Sequence, residues 1–169
     1  MSSDGSFAAV YRQYVGPIRA YLARRVPFGE VEDLAADVFA VAWRKRDAVA
    51  AGEELPWLYT IASYTVANYR RKEKNRLDVL WLFTIPDSAP AADSFLEGDP
   101  ELAGAWTSLS VAEREILALV VLDGLPVQDA ARVLGVSPNA ASIRLHRAKK
   151  SLAAALPRAT SERNDSEGT

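Results

Sequence analysis

Asn139, Ser142, Ile143, His146, Arg147 and Lys150 recur at helical spacing, so on one helix they would share a face. Together they offer hydrogen-bonding groups, cations and an aliphatic side chain able to touch a thymine methyl, which is the chemistry that reads base edges in a major groove. A solvated basic face has a similar composition, so the frame around this helix has to separate the two readings. On its other side Ala141, Leu145, Ala148 and Leu152 fall at i, i+4, i+7 and i+11, a stripe that packs inward.

The elements that must hold this helix are punctuated in the sequence. Ser110 and Glu113 have the spacing of a capping box, in which a hydroxyl and a carboxylate satisfy backbone donors at a helix start. A helix over 111–122 follows. Gly124 supplies a left-handed stop, Pro126 restarts a short helix at its first turn, and Gly135 ends that helix before Ser137 and Pro138 open the last one. Residues 109–156 thus read as a helix-turn-helix, the frame that presents its last helix to DNA.

A second set lies upstream. Trp57, Tyr59, Tyr64 and Tyr69 lead into Arg70, Arg71, Lys72, Lys74 and Arg76. Rings that stack on bases beside cations that follow phosphates can hold a single or partly melted strand. Rings at helical spacing also fill cores, and Trp57 and Tyr59 are assigned there.

The net charge of −2 looks wrong for a nucleic-acid binder until it is located along the chain. Residues 1–76 carry +3, 77–105 carry −6 with no Lys or Arg, 106–156 carry +2 and the tail −1. Two mildly basic blocks flank an acidic connector, which implies weak affinity for DNA by the chain alone and a larger partner. There is no cysteine, so disulfides, thiol catalysis and thiolate metal sites are excluded. The apolar runs at 79–85 and 116–122 are far shorter than the roughly 20 residues that span a bilayer. The first seven residues lack the features of a signal peptide, and a cytoplasmic protein is expected. No glycine-rich phosphate loop, metal-ligand cluster or nucleophile–base pair is visible, so neither an enzyme nor a cofactor is expected.

The first block reads as helical throughout. One helix from Phe7 to Val26 is interrupted near Gly16 and Pro17, a second covers 31–48, and a third starts at Pro56 or Trp57 and runs into the basic cluster. The connector is expected to be extended and mobile from Pro86 onward, with the apolar 79–85 stretch either continuing the third helix or anchoring another protein. The tail from 157 is expected to be disordered. The fold class is therefore all-α: two small helical domains, 1–76 and 106–156, joined by a flexible acidic linker over 77–105.

The stretches VEDLAADVFAVAWRKRD and PWLYTIASYTVANYRRKEKNR in the first block, with LSVAEREILALVVLDGLPVQDAARVLGVSPNAASIRLHRAKKSL in the second, resemble an extracytoplasmic function (ECF) sigma factor. That family supplies two-domain initiation subunits of bacterial RNA polymerase. The resemblance implies a sigma-2-like domain, a sigma-4-like helix-turn-helix domain, and as partners core RNA polymerase (its β′ clamp and β flap), promoter DNA and an anti-sigma factor. It places Asp33, Leu34, Asp37 and Phe39 on the helix that meets the β′ clamp. For the −10 element it implies Tyr64, Asn68, Tyr69, Arg70, Arg71, Lys72, Lys74 and Arg76, with the loop over 45–55 capturing non-template bases. Ser63 and Tyr64 stand where the family has an Arg–Asn pair, which implies a changed −10 preference. For the −35 element it implies Asn139, Ser142, Ile143, His146 and Arg147 toward bases and Arg144, Lys149 and Lys150 toward phosphates. His146 fits a groove contact and a plain surface position equally. Ala130 stands where the family has a bulkier aliphatic side chain, which implies thinner packing between two helices. The acidic connector is either a mimic of transcript phosphates or a simple tether. The alternative is a GerE-like helix-turn-helix regulator that binds operators without joining polymerase, with the first block as a sensor or dimerisation unit.

Overall fold

The computed structural model describes residues 3–80 and 98–157, with side chains over 5–76 and 98–157. The expectations for the acidic connector, for the end of the 79–85 stretch and for the tail beyond 157 fall outside the described residues. Seven α-helices and no strand occur among the described residues.

The first unit is α1 (Ser3–Ala23), α2 (Val31–Arg44) and α3 (Glu54–Leu80). Each turns a stripe of Ile18 and Leu22, Val38 and Ala42, or Leu58 and Ala62 into a common core where all six are fully buried. Tyr21 and Tyr59 meet there edge to face, with ring centroids 5.2 Å apart. Helix α1 is continuous through Pro17 rather than interrupted. Proline removes the bond to the carbonyl four residues earlier, and Gln13, Gly16 and Pro17 all lie on an exposed stretch of the helix, where solvent can satisfy that carbonyl. Helix α2 stops at Arg44, four residues short of the expected end, and a 3-10 turn (Arg46–Ala48) completes the span.

Burial pushes the Tyr21 hydroxyl from 10.0 up to about 12, against the opposing pull of the nearby Arg25 cation. The folded state therefore holds the Tyr21 proton more tightly than the unfolded chain. Its contribution to stability is complete below pH 10 and is lost as pH rises through about 12. The unfolding free energy from urea titrations is expected to fall across that window by about 3 kcal/mol more than in Tyr21→Phe. Parallel profiles for the two proteins would refute the assignment.

The second unit begins earlier than the charge pattern suggests. Helix α4 (Pro100–Ser108) occupies what reads as the end of the linker: Asp99 caps it by accepting from the Leu102 amide at 2.9 Å, and Ala105 and Trp106 are buried. A linker boundary at 105 misses this because the Asp–Pro start signal lies inside the acidic run. Helix α5 (Val111–Leu117) opens with the expected capping box; the Ser110 amide donates to Glu113 at 2.9 Å and the Glu113 amide to the Ser110 hydroxyl at 3.2 Å. Those bonds, the Ser110 amide first and the Ser151 hydroxyl next, hold the Glu113 carboxyl below its usual value. The last turn of this segment is a π turn (Ala118–Leu122), which ends with the Asp123 amide bonded to the Ala118 carbonyl at 2.8 Å.

Gly124 at φ +71° and Gly135 at φ +66° are the left-handed stops. Pro126 sits just before α6 (Val127–Leu134), at its cap rather than inside its first turn. Helix α7 (Pro138–Ala155) starts as expected, the Ser137 hydroxyl accepting from the Ala140 amide at 3.1 Å with Pro138 in the first turn.

Helix α6 packs on α7 within its own unit and also on α3 of the first. Ala130 and Ala131 are both buried in α6. The direction of α6 follows from its two ends. Arg132 in its last turn pairs with Glu53, just before α3. Asp123, just before α6, pairs with Arg25, whose carbonyl accepts from Arg70 of α3. The two helices therefore run antiparallel.

Candidate nucleic-acid interface

Helix α7 separates into two faces. Ala141, Leu145 and Ala148 are buried against α4, α5 and α6. Asn139, Ser142, Ile143, His146, Arg147, Lys149 and Lys150 are exposed, and Arg144 is half-buried. Ile143 keeps 46% of its surface in solvent.

On α3, Tyr64 is 69% exposed. Asn68, Arg71, Lys72 and Lys74 are exposed with it, and Tyr69 is half-buried. Two cations of the set are partly engaged already. The Arg70 guanidinium donates to the Arg25 carbonyl at 3.4 Å, and Arg76 pairs with Glu73 at 3.0 Å. Tyr59 is buried and Trp57 half-buried, as assigned from the sequence.

On α2 the four residues divide. Asp33 and Asp37 are exposed, whereas Leu34 at 8% and Phe39 at 6% exposure lie in the core, Phe39 against the Tyr11 ring at 4.8 Å. Of the four, the two carboxylates stand in solvent, whereas Leu34 and Phe39 are largely taken up by the core. Periodicity distinguishes these residues, but a whole-motif resemblance does not.

The loop before α3 borders an open groove of about 250 Å³ between the start of α1 and the loop, lined among others by Phe7, Val10, Arg46, Asp47 and Trp57. Arg46 stacks on Trp43, its guanidinium carbon 3.9 Å from the ring centroid, and donates to the Trp43 carbonyl at 2.7 Å.

One group of residues was not singled out in the sequence. Arg25, only 6% exposed, lies 3.6 Å over the Tyr21 ring and donates to the Tyr21 carbonyl at 2.9 Å, to Glu115 at 3.0 Å and to Asp123 at 3.3 Å. Arg24 also pairs with Asp123, whose side chain is fully buried. The available signals were only two adjacent arginines at a helix end and an aspartate before a glycine.

Two helical units each present a basic stripe on the outer side of a helix packed by its apolar side, an arrangement of the kind that DNA-binding proteins use. Residues 10–76 match the model of Sigma-70 region 2, and residues 102–152 that of Sigma-70, region 4. The ECF RNA polymerase sigma factor SigF of Caulobacter vibrioides is 32% identical over 166 residues, covering 92% of this chain and 90% of that protein. BldN of Streptomyces coelicolor, also an ECF RNA polymerase sigma factor, is 31% identical; the match covers 90% of this chain and 61% of that relative. In fold, the chain is similar to the sigma factor RpoE of Bartonella quintana, solved in complex with the anti-sigma factor NepR, at a TM-score of 0.68 and 24% identity over 89% of this chain and 96% of that one. The chain belongs to the ECF sigma factors. It is an alternative sigma factor that binds core RNA polymerase and directs it to promoters. An operator-binding regulator with an unrelated first block is set aside, because α1 to α3 match region 2. Among the described residues no helix is long and apolar enough to cross a membrane.

Proposed function

We propose a division of labour over named residues. Asp33 and Asp37 on α2 meet a basic surface of the β′ clamp, and the second unit meets the β flap. Tyr64, Asn68 and Tyr69 receive bases of the opening −10 element, with Arg70, Arg71, Lys72, Lys74 and Arg76 along its phosphates. On α7, Asn139, Ser142, Ile143, His146 and Arg147 read the −35 element, while Arg144, Lys149 and Lys150 hold the backbone. The protein does no chemistry of its own; polymerase carries the nucleotide transfer, and the factor acts in the cytoplasm.

The observation that carries this reading is the exposure of Tyr64 and Ile143 among cations, on helices whose opposite sides are sealed in cores. Melting is coupled to recognition, since bases captured on α3 offset an unstacking cost of a few kcal/mol. An anti-sigma factor completes the partner set, on the precedent of RpoE in its complex with NepR.

The test is co-elution with bacterial core polymerase followed by transcription from a promoter library, using the parent and Asp33→Lys/Asp37→Lys. The parent is expected to bind and to give promoter-specific transcripts, and the double variant to lose core binding while keeping its fold. Equal core binding by both would remove the two carboxylates from the contact. A pull-down from resting native cells is expected to bring down a stoichiometric inhibitor, and its absence would remove the anti-sigma partner.

A further inference from the structure

Around Tyr64, helix α3 carries three hydroxyl side chains, and all of them are already committed. The Thr60 hydroxyl donates to the Pro56 carbonyl at 2.9 Å, that of Ser63 to the Thr60 carbonyl at 2.7 Å and that of Thr65 to the Ile61 carbonyl at 3.0 Å. A hydroxyl has one proton to give, each of these gives it to its own helix, and all three residues are half-buried. None has a proton left for a base edge.

The outer face of the same stretch offers different chemistry. Tyr64 is 69% exposed, and Asn68 and Arg71 follow it at i+4 and i+7, so the three share one stripe. Among the described residues no hydrogen bond, ion pair or ring contact engages Tyr64 or Asn68. One helical turn sets the ring and the amide about 6 Å apart along the axis. That is wider than the roughly 3.4 Å rise of a stacked strand, and it suits neighbouring bases that have come apart.

The two groups differ in what they can tell apart. An amide presents a donor and an acceptor together and pairs with N6 and N7 of adenine, so it discriminates. A ring presents a face, every base has a face to match it, and stacking tolerates sequence.

We propose that Tyr64 is a stacking platform without base preference on the −10 surface, and that Asn68, one turn further on, carries the base discrimination of that stretch. This division of roles rests on the −10 assignment above and sharpens it. The −10 element of this factor is specified at the base beside Asn68 and open at the base beside Tyr64.

Holoenzymes made with the parent, Tyr64→Ala, Tyr64→Phe, Tyr64→Asn and Asn68→Ala are compared on a promoter library randomised across the −10 element, with opening followed by a fluorescent base analogue and the opened promoters sequenced. Tyr64→Ala is expected to lower opening about tenfold on every sequence and to leave the preferred bases as they are, the effect of losing one base stack. Tyr64→Phe, which keeps the ring and drops the hydroxyl, should restore opening. Tyr64→Asn should create a preference at a position where the parent has none, and Asn68→Ala should erase one. Both side chains are exposed, and circular dichroism checks that the variants fold. A loss in Tyr64→Ala confined to promoters with one particular base would make Tyr64 a reader and overturn the proposal. So would opening by Tyr64→Ala equal to that of the parent, or Tyr64→Phe behaving as Tyr64→Ala does.

The free chain gives the same comparison without polymerase. On single-stranded oligonucleotides of adenine, cytosine or thymine alone, at low salt, Tyr64→Ala should weaken binding by a similar factor for all three, and Asn68→Ala chiefly for adenine. Weakening by Tyr64→Ala for a single base, or for none, overturns stacking without preference. A parent that neither binds core polymerase nor opens any promoter strikes instead at the functional assignment, and the oligonucleotides still decide the roles of the two side chains.

Discussion

Ile116→Ala is expected to cost the second unit about 2–5 kcal/mol, the range for removing a large aliphatic side chain from a sealed core. Ile116 has no exposed surface, and α5, which carries it, packs directly on α7. A unit of this size has little stability to lose, because small domains bury a smaller share of their surface. The reading helix should therefore lose its support while α1 to α3 stay folded. Hydrogen exchange resolved by segment checks this: amides of α5, α6 and α7 should lose protection by that energy, and those of the first core should keep theirs. Equal loss throughout would show one cooperative unit. A loss under about 1 kcal/mol would mean that the site collapses around the smaller side chain.

Arg147→Ala carries the largest expected effect on recognition. Arg147 is exposed on the outer face of α7, one residue after His146 and four after Ile143, with no ion pair holding it among the described residues. If it forks onto a guanine, its loss costs about 1–3 kcal/mol at that base pair and relaxes specificity there alone. Holoenzyme binding to a −35 library is the measurement. A uniform loss over all sequences, with a shallower salt dependence, would instead place Arg147 on a phosphate.

Much of the second unit was legible because its signals are local. A serine hydroxyl three residues from a glutamate, a proline behind a serine and a glycine at a left-handed stop act within one helical turn, so spacing alone locates α5, α6 and α7. Helix α4 was hidden because its start signal lies in an acidic run that reads as a tether. The apparent break at Pro17 failed for the opposite reason: whether proline ends a helix depends on what can satisfy the freed carbonyl, and here the residues around it are exposed to solvent.

The reading stripe of α7 and the basic end of α3 are properties of helical period, and the chain alone determined them. It also determined the division into two basic helical blocks about an acidic connector, since charge is additive along a sequence. Tertiary structure decided which members of a motif face outward, sealing Leu34 and Phe39 while leaving Asp33 and Asp37 in solvent. It alone decided that Arg25 meets Glu115 and Asp123, 90 and 98 residues away. Pairing at that range leaves no periodic trace, because it depends on where two separately folded surfaces come to rest, and a buried charge is tolerated only where both halves of its partner set arrive together.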